Sequence, residues 1–180
     1  MASTIRVDTL QDAGANEYFA SDGSGVFTGS LTNTPYARIV MSAAPSVADS
    51  TYKLAEYNSY QYGSDESIFT AGTYRITPGV AGEYRIYAHI NYAPNAVDQT
   101  GYHLLIYKNG SAVVENMTQA SGTATGYGTD VFVDGIVTSN DTDYFQIYVY
   151  QTSGSSAQYA YGDTSGMRTA FSLFKISGSS

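Results

Sequence analysis

The segment that most constrains the fold is residues 69–93, where two runs of alternating polar and apolar residues flank a turn. In the first run, Tyr74 and Ile76 alternate with polar residues. A period of two is typical of a strand with one face in a core. Residues 78–82 contain one proline and two glycines, which interrupt a strand and allow a turn. We therefore predict two strands joined as a hairpin, the second with four core residues: Tyr84, Ile86, Ala88 and Ile90.

Further runs of strand-forming residues follow the same logic along the rest of the chain. They are separated by turns rich in Gly, Asn, Asp and Ser, and Asn109-Gly110 is a strong hairpin signal between two of them. Residues 52–57 alternate weakly and read as a strand, whereas residues 58–67 read as a polar loop. The pattern of about nine strands without a helical period predicts an all-β sandwich.

The order of several motifs resembles the C1q/TNF-like jelly-roll family. The resemblance covers about residues 36–177. It implies a jelly-roll β-sandwich, and it implies a homotrimer built around a three-fold axis. The segments that carry it are an aromatic-Gly-aromatic run, a Pro-Gly turn, an apolar strand ending in Lys-Asn-Gly, a strand after an acidic turn, and a closing strand: 69–74, 78–82, 104–110, 141–150 and 171–174.

The first 34 residues differ from the rest. Ile5, Val7 and Leu10 have the spacing of a short strand, and a Ser-Asp-Gly-Ser-Gly turn follows at 21–25. The segment contains no heptad repeat and no Gly-X-Y period, so it is neither a coiled-coil nor a collagen stalk. We predict an extended N-terminal arm over residues 1–34 and a jelly-roll domain over residues 35–180. The alternative is a strand that joins the domain's own sheet.

The arm also carries a resemblance. Its opening sequence, ASTIRVDTLQD, followed by the Ser-Asp-Gly-Ser-Gly turn, is similar to the N-termini of bacteriophage structural proteins, especially fibre and capsid-associated ones. The resemblance implies a place on the virion surface after assembly in the host cytoplasm. It also implies that the arm, through Ile5, Val7 and Leu10, anchors the chain to the major capsid protein or to another virion subunit.

Composition limits the partners of the chain. Sixteen acidic and eight basic residues give a formal net charge of −8, which argues against nucleic acid and against anionic membrane surfaces. No apolar run has the length of a signal peptide or a membrane span. Only 13% of residues are charged and 18 are tyrosines, so the surface is polar but weakly charged. Such a surface is common on proteins that work within an assembly.

The strand at 144–151 offers the clearest candidate interface. Phe145, Ile147 and Val149 share one face, which we predict to be core. The opposite face is aromatic and carries hydrogen-bonding groups, which indicates an interface. In the C1q/TNF-like family the corresponding strand lies in the sheet that forms the trimer. The resemblance therefore implies that this strand belongs to the trimer interface. A carbohydrate-binding strip and a plain tyrosine-rich surface are the alternatives. The predicted trimer-interface residues are Tyr144, Gln146, Tyr148 and Tyr150.

The sequence offers no set of catalytic or metal-binding residues. His89 and His103 are its two histidines, and it has no cysteine, whereas a zinc site needs three or four ligands. Residues 141–143 read as a capped turn, since the glycine and distal glutamate of a calcium loop are missing. No strand-turn-helix elbow presents a serine nucleophile. We therefore expect no enzymatic activity, no metal and no cofactor.

These observations favour a non-enzymatic phage virion protein, namely a homotrimeric capsid decoration or cement protein anchored by its arm. One alternative is a short tail-fibre or spike tip that binds a glycan or protein on the host surface. A tail fibre usually has a stalk, which this chain lacks. The other alternative is a secreted C1q-like recognition protein of a cellular organism, against which the missing signal peptide and collagen repeat count.

Overall fold

The computed structural model of the chain describes residues 34–92, 101–119, 128–154 and 167–178, the single residues 162 and 165, and the backbone of four short strands. The chain divides into two compact units, Met1–Thr34 and Pro35–Ser180. Within the described ranges, no helix is both long enough and apolar enough to cross a membrane.

In the first unit, the described backbone forms three short strands: β1 (Thr9–Gln11), β2 (Glu17–Ser21) and β3 (Phe27–Thr28). They pair antiparallel in the order β1-β2-β3, with Leu10 opposite Phe19. Of the three predicted anchoring residues, Ile5 and Val7 lie outside the described residues, as does the predicted turn after Ser21. Leu10 lies in β1, of which only the backbone is described.

The described part of the second unit contains strands β4 to β16 and two single-turn 3-10 helices, Glu66–Ile68 and Ala71–Thr73. Two of the strands, Gly82–Tyr92 and Thr129–Ser139, alternate strictly between buried and more exposed residues. The strands are β4 (Tyr36–Val40), β5 (Ser46–Val47), β6 (Lys53–Leu54), β7 (Ser59–Gly63), β8 (Phe69–Thr70), β9 (Arg75–Ile76), β10 (Gly82–Tyr92), β11 (Gly101–Lys108), β12 (Ser111–Gln119), β13 (Thr129–Ser139), β14 (Phe145–Gln151), β15 (Ala157–Gln158) and β16 (Thr169–Gly178).

Two main sheets face each other. The five-stranded sheet has the order β13-β10-β16-β4-β7, and the six-stranded sheet has the order β12-β11-β14-β9-β8, with β6 paired to β14. Strands β5 and β15 form a further small pair. All pairings are antiparallel, so the predicted all-β sandwich is confirmed.

The core lies between the two sheets and follows the predicted alternation. The predicted core residues are fully buried on both strands. They are Tyr84, Ile86, Ala88 and Ile90 of β10 and Phe145, Ile147 and Val149 of β14. Aromatic side chains from the two sheets pack against each other. The ring centroids of Tyr92 on β10 and Tyr102 on β11 lie 4.5 Å apart. Burial of this much apolar surface is the main term that stabilises the sandwich.

Buried tyrosines place their hydroxyls against backbone carbonyls. The Tyr84 hydroxyl donates to the Val80 carbonyl at 2.6 Å, and the Tyr57 hydroxyl donates to the His89 carbonyl at 3.0 Å. Burial raises the pKa of Tyr84 to about 12 and also raises the pKa of Tyr57, because ionisation inside the core is unfavourable. These tyrosines therefore contribute ring area to the core without leaving a polar group unpaired.

The predicted hairpin at 69–93 is wrong in its pairing. Strand β9 pairs with β8 and with Phe145 of β14, whereas β10 pairs with β13 and β16 in the other sheet. The turn between β9 and β10 therefore crosses from one sheet to the other. Gly82 ends this crossing with φ 154°, and a Cβ there would lie 2.4 Å from the Ser177 carbonyl oxygen. Alternation identifies a strand but does not identify its partner.

The polar loop predicted at 58–67 is also wrong, because β7 lies within it. Strand β7 is an edge strand that pairs with β4, and its residues are partly or fully exposed. Conversely, the strand predicted at 52–57 is reduced to the two residues of β6. The predicted Asn-Gly turn is confirmed: Asn109 and Gly110 join β11 to β12 with φ values of 51° and 80°.

Candidate functional site

The outward side of the five-stranded sheet carries large apolar side chains that remain exposed. On the edge strand β13, Phe132 is 53% exposed and Ile136 is 63% exposed. They alternate with Val131 and Val133, which are fully buried in the core. Exposed apolar surface of this kind often marks an interaction site in a soluble protein. We name this surface the apolar face and define it by five residues: Tyr36, Tyr62, Phe132, Ile136 and Phe174.

A cavity of about 470 Å³ opens on the same side of the sheet. Ser172 of β16, the strand that lies between β4 and β10, is one of its lining residues. Both charged residues that line it are arginines, Arg38 and Arg85. Four aromatic residues also line it: Tyr36, Tyr62, Tyr87 and Phe174. Apolar walls with a few convergent polar groups are typical of binding sites.

Arg85 is held in place by an acidic residue on the neighbouring strand. Its Nε donates to Asp134 Oδ1 at 2.9 Å, and its Nη2 lies 2.5 Å from Asp134 Oδ2. This hydrogen bond lowers the pKa of Asp134 and raises the pKa of Arg85. The guanidinium also lies 5.9 Å from the centre of the Phe174 ring. The pair is half-exposed and fixes the orientation of one wall of the cavity.

Strand β12 of the other sheet contacts the edge strand β13. Asn116 of β12 donates through Nδ2 to the Phe132 carbonyl at 2.6 Å. Gly135 faces Val114, and a Cβ at this glycine would lie 2.7 Å from Val114 Cγ2. Strand β12 of the other sheet therefore packs closely against β13 at these two positions, and Asn116 occupies one backbone acceptor of β13.

The structure places the four predicted trimer-interface residues together on the outward side of the six-stranded sheet. Tyr148 stacks on Tyr107 with centroids 4.0 Å apart, and Tyr150 lies 4.7 Å from Tyr52. Gln146 is buried and donates to the Thr73 carbonyl at 2.8 Å, while Arg75 lies over the Tyr144 ring at 5.2 Å. These side chains thus have partners within their own subunit. Their role in a trimer stays a prediction.

Sequence reasoning missed the apolar face, although the sequence contained a signal for it. In a strand with one buried face, apolar residues occupy alternate positions. Residues 131–133 (VFV) and 136–137 (IV) are instead apolar at consecutive positions. Such runs indicate a strand that is covered on both sides. Since the core covers only one side of β13, the other side remains available.

Titratable groups elsewhere have structural partners. His103 Nδ1 lies 2.5 Å from Glu115 Oε1 on the six-stranded sheet. Asp143, which is 4% exposed, accepts from Lys108 Nζ, Asn109 Nδ2 and the Asn140 backbone. The turn at 140–143 is capped by these contacts. Within the described ranges, no group of three or more His, Cys, Asp or Glu residues is arranged to hold a metal ion.

Comparison with known proteins supports the fold. No family model and no curated protein matches the sequence. Solved structures do match. Eiger TNF from S. frugiperda superposes with a TM-score of 0.56 at 11% sequence identity, over 82% of this chain and 94% of that chain. The structure of murine APRIL at pH 8.5 superposes with a TM-score of 0.54 at 11% identity, and the structure at pH 5.0 superposes with a TM-score of 0.56 at 8% identity. Each of these two superpositions covers 79% of this chain and 99% of the APRIL chain.

At these identities the comparison concerns the fold alone. The two sheets, their antiparallel order and the match to TNF structures over most of both chains agree with the sequence resemblance. The chain has the C1q/TNF-like jelly-roll fold, as the sequence predicted.

Proposed function

We propose that this chain is a non-enzymatic structural protein that forms a homotrimer through the apolar face of its jelly roll. One observation carries the proposal: Phe132, Ile136, Phe174, Tyr36 and Tyr62 are exposed on one side of one sheet. A soluble domain gains free energy by covering such a surface, at roughly 25 cal/mol per Å² of apolar area. The homotrimer implied by the C1q/TNF-like resemblance supplies the copies that cover it.

The geometry of the apolar face favours a ring over a two-fold dimer. The edge strand β13 presents Phe132 and Ile136 as a ridge, whereas the cavity lies on the other four strands of the sheet. Ridge and cavity are unlike, adjacent patches on the same side of the sheet, and we propose that the ridge of one copy packs against the cavity of the next. A contact that joins unlike surfaces is head-to-tail and closes into a ring when the rotation allows it. A ring of three is consistent with the three-fold axis that the resemblance implies.

Within this proposal the trimer is a capsid decoration or cement protein of a phage virion. The N-terminal sequence ASTIRVDTLQD supports this role through its similarity to phage structural proteins. The unit Met1–Thr34 is compact and distinct from the jelly roll, as an attachment segment would be. We propose that it binds the major capsid protein or another virion subunit, on the outer surface of the particle. Three such segments per trimer would bind with avidity.

The second candidate function is a fibre or spike tip that binds a host-surface glycan or protein. The tyrosine-rich outward side of the six-stranded sheet favours it, because Tyr52, Tyr107, Tyr148 and Tyr150 present rings together with hydroxyls there. Aromatic side chains with polar tips are enriched at binding surfaces. In a trimer built on the apolar face, this surface points away from the neighbouring copies and stays open to a receptor.

Two measurements test the proposal. Light scattering on the full-length protein at micromolar concentration should give three times the mass of one chain, and a single-chain mass would overturn the trimer. Immunogold labelling of intact phage particles should then mark the capsid surface for the decoration role and the tail tip for the fibre role. Labelling of neither structure would contradict the virion role while leaving the trimer intact.

A further inference from the structure

We infer that Asn109, in the turn between β11 and β12, is a self-modifying residue whose side-chain amide is lost at a rate controlled by Asp143. Asn109-Gly110 is the only Asn-Gly pair in the sequence, and both residues are exposed to water. In such a pair the glycine nitrogen forms a bond to the asparagine Cγ, and the Cγ–Nδ2 bond breaks. Nδ2 leaves as ammonia and takes the proton of the glycine amide. Water then opens the cyclic imide to aspartate or isoaspartate.

Three hydrogen bonds hold Asn109 against the residues that precede β14. Its Nδ2 donates to Asp143 Oδ1 at 2.6 Å, and its Oδ1 accepts from the Tyr144 backbone N–H at 3.0 Å. Its own backbone N–H donates to the Tyr144 carbonyl at 3.1 Å. Asp143 is buried, and both Lys108 Nζ and the Asn140 backbone nitrogen lie 2.8 Å from its Oδ2. Both polar atoms of the Asn109 side chain thus have a partner that is itself fixed in place.

These contacts oppose the loss of the amide, because Nδ2 is the atom that leaves. The imide forms only after the hydrogen bond from Nδ2 to Asp143 breaks. The planar amide that accepts from Tyr144 is also lost when Cγ becomes tetrahedral. The reaction therefore proceeds from a state in which the turn has opened away from Asp143. Such local opening requires less free energy than unfolding of the whole domain.

The product of the reaction cannot restore the contact. Aspartate at position 109 replaces the Nδ2 donor by a carboxylate oxygen that faces the Asp143 carboxylate, and two like charges this close are unfavourable. Isoaspartate adds a backbone atom to a turn whose two φ values are 51° and 80°. Each reaction therefore releases the turn from the start of β14 irreversibly, and modified chains accumulate with the age of the protein.

The experiment follows ammonia loss in the full-length protein by peptide mass spectrometry during incubation in mildly alkaline buffer. Asp143→Ala removes the acceptor of Asn109 Nδ2, and Asp141→Ala is the matched control, because Asp141 is exposed in the same turn. Asn58 is the internal reference in every sample, since its Oδ1 accepts from the Ser42 backbone at another place in the fold. Global unfolding accelerates the reaction at both asparagines, whereas local opening of the turn accelerates it at Asn109 alone.

We expect Asn109 of the wild type to react at least about tenfold faster in urea-unfolded protein than in folded protein. We expect folded Asp143→Ala to react at least about threefold faster at Asn109 than Asp141→Ala, with Asn58 unchanged. Circular dichroism and a cooperative melt establish that each variant is folded. If Asp143→Ala does not fold, Asp143→Asn decides, because its neutral amide is a weaker acceptor than the carboxylate and should still react faster than the wild type.

Equal rates at Asn109 in the Asp143 variant and in Asp141→Ala would overturn the control by Asp143. A slower rate in the Asp143 variant would overturn it as well, since Asp143 would then assist the reaction. Equal acceleration at Asn109 and Asn58 would show that the substitution acts through global unfolding, which also contradicts the inference.

Discussion

Tyr148 on β14 stacks on Tyr107 of the neighbouring strand β11, with ring centroids 4.0 Å apart and ring planes inclined by 26°. Leu105, which pairs with Tyr148 in the β11–β14 register, is buried on this outward side of the sheet. The two rings are therefore part of the packing of a single subunit. Tyr148 belongs to the trimer interface that the sequence predicts, whereas the trimer that we propose forms through the apolar face of the other sheet.

Tyr148→Asp should destabilise the subunit and leave the trimer mass unchanged. The substitution removes the ring contact with Tyr107, an effect of about 1–3 kcal/mol in the free energy of unfolding. Urea unfolding and light scattering on the same samples measure both quantities. Tyr148→Phe keeps the ring and serves as the control, with a change within about 0.5 kcal/mol. A folded monomer of unchanged stability would instead place the trimer interface at Tyr144, Gln146, Tyr148 and Tyr150.

Asp143→Asn should lower the stability of the fold. Asp143 is buried and accepts hydrogen bonds from Lys108, Asn109 and the Asn140 backbone, so the amide leaves the Lys108 charge less well compensated. We expect a loss of about 1–3 kcal/mol by urea denaturation. The matched control is Asp141→Asn in the same turn, where the side chain is exposed and the change should stay within about 0.5 kcal/mol. Equal effects of the two substitutions would contradict the account.

The free energy of unfolding should decrease at acidic pH, because the carboxylates of Asp143 and Asp134 both have a lowered pKa in the folded protein. Burial acts to raise the pKa of Asp143, but hydrogen bonds from Lys108, Asn140 and Asn109 outweigh it, and the net pKa is lowered. The hydrogen bond from Arg85 lowers the pKa of Asp134. A carboxyl with a lowered folded pKa stabilises the fold fully above its unfolded value of about 3.9, and this contribution is lost as pH falls through the folded pKa.

Urea midpoints measured from neutral pH down to about pH 2 should therefore decline mainly below about pH 4. The decline should be shallower in Asp143→Asn, since the asparagine cannot titrate. A slope that is identical in Asp143→Asn and the wild type would show that the carboxylate of Asp143 contributes nothing to acid sensitivity.

Local patterns in the sequence predict the core well. Tyr84 to Ile90 alternate strictly because β10 has one face against the other sheet, and the same holds for Phe145, Ile147 and Val149. The Asn109-Gly110 turn is equally local, since its two positive φ values are what these residue types favour. The alternation and the turn depend only on residues that are close together in the chain, so they can be predicted from a single sequence.

Pairing and exposure depend on distant residues, and there the sequence misleads. Ile76 pairs with Phe145, far along the chain, and nothing in the 69–93 segment indicates this. Strand β7 is an edge strand of mixed exposure and shows no alternation. The sequence also does not indicate that Tyr107, Tyr52 and Arg75 from other elements contact the outward face of β14, whose role in a trimer stays a prediction.

Deletion of residues 2–30 should leave a folded trimer that no longer binds the phage particle. The unit Met1–Thr34 is compact and distinct from the jelly roll, and the apolar face lies entirely in the second unit. Light scattering measures the trimer, and co-sedimentation with particles measures binding against the full-length protein. Binding at full occupancy would show that the jelly roll itself is the anchor. Loss of folding would show that the first unit is a structural part of the domain.

The most direct test of the proposed trimer is the mass of the Ile136→Asp variant of the full-length protein. An ionised carboxylate placed at an exposed apolar position leaves the isolated subunit folded, but costs several kcal/mol when a second copy desolvates it. Tyr52→Asp is the control, because Tyr52 is 52% exposed next to β6 of the other sheet and Ile136 is 63% exposed on the apolar face. Light scattering at micromolar concentration should give a folded monomer for Ile136→Asp and a trimer for both Tyr52→Asp and the wild type. A trimer for Ile136→Asp would contradict the assignment of the interface to the apolar face.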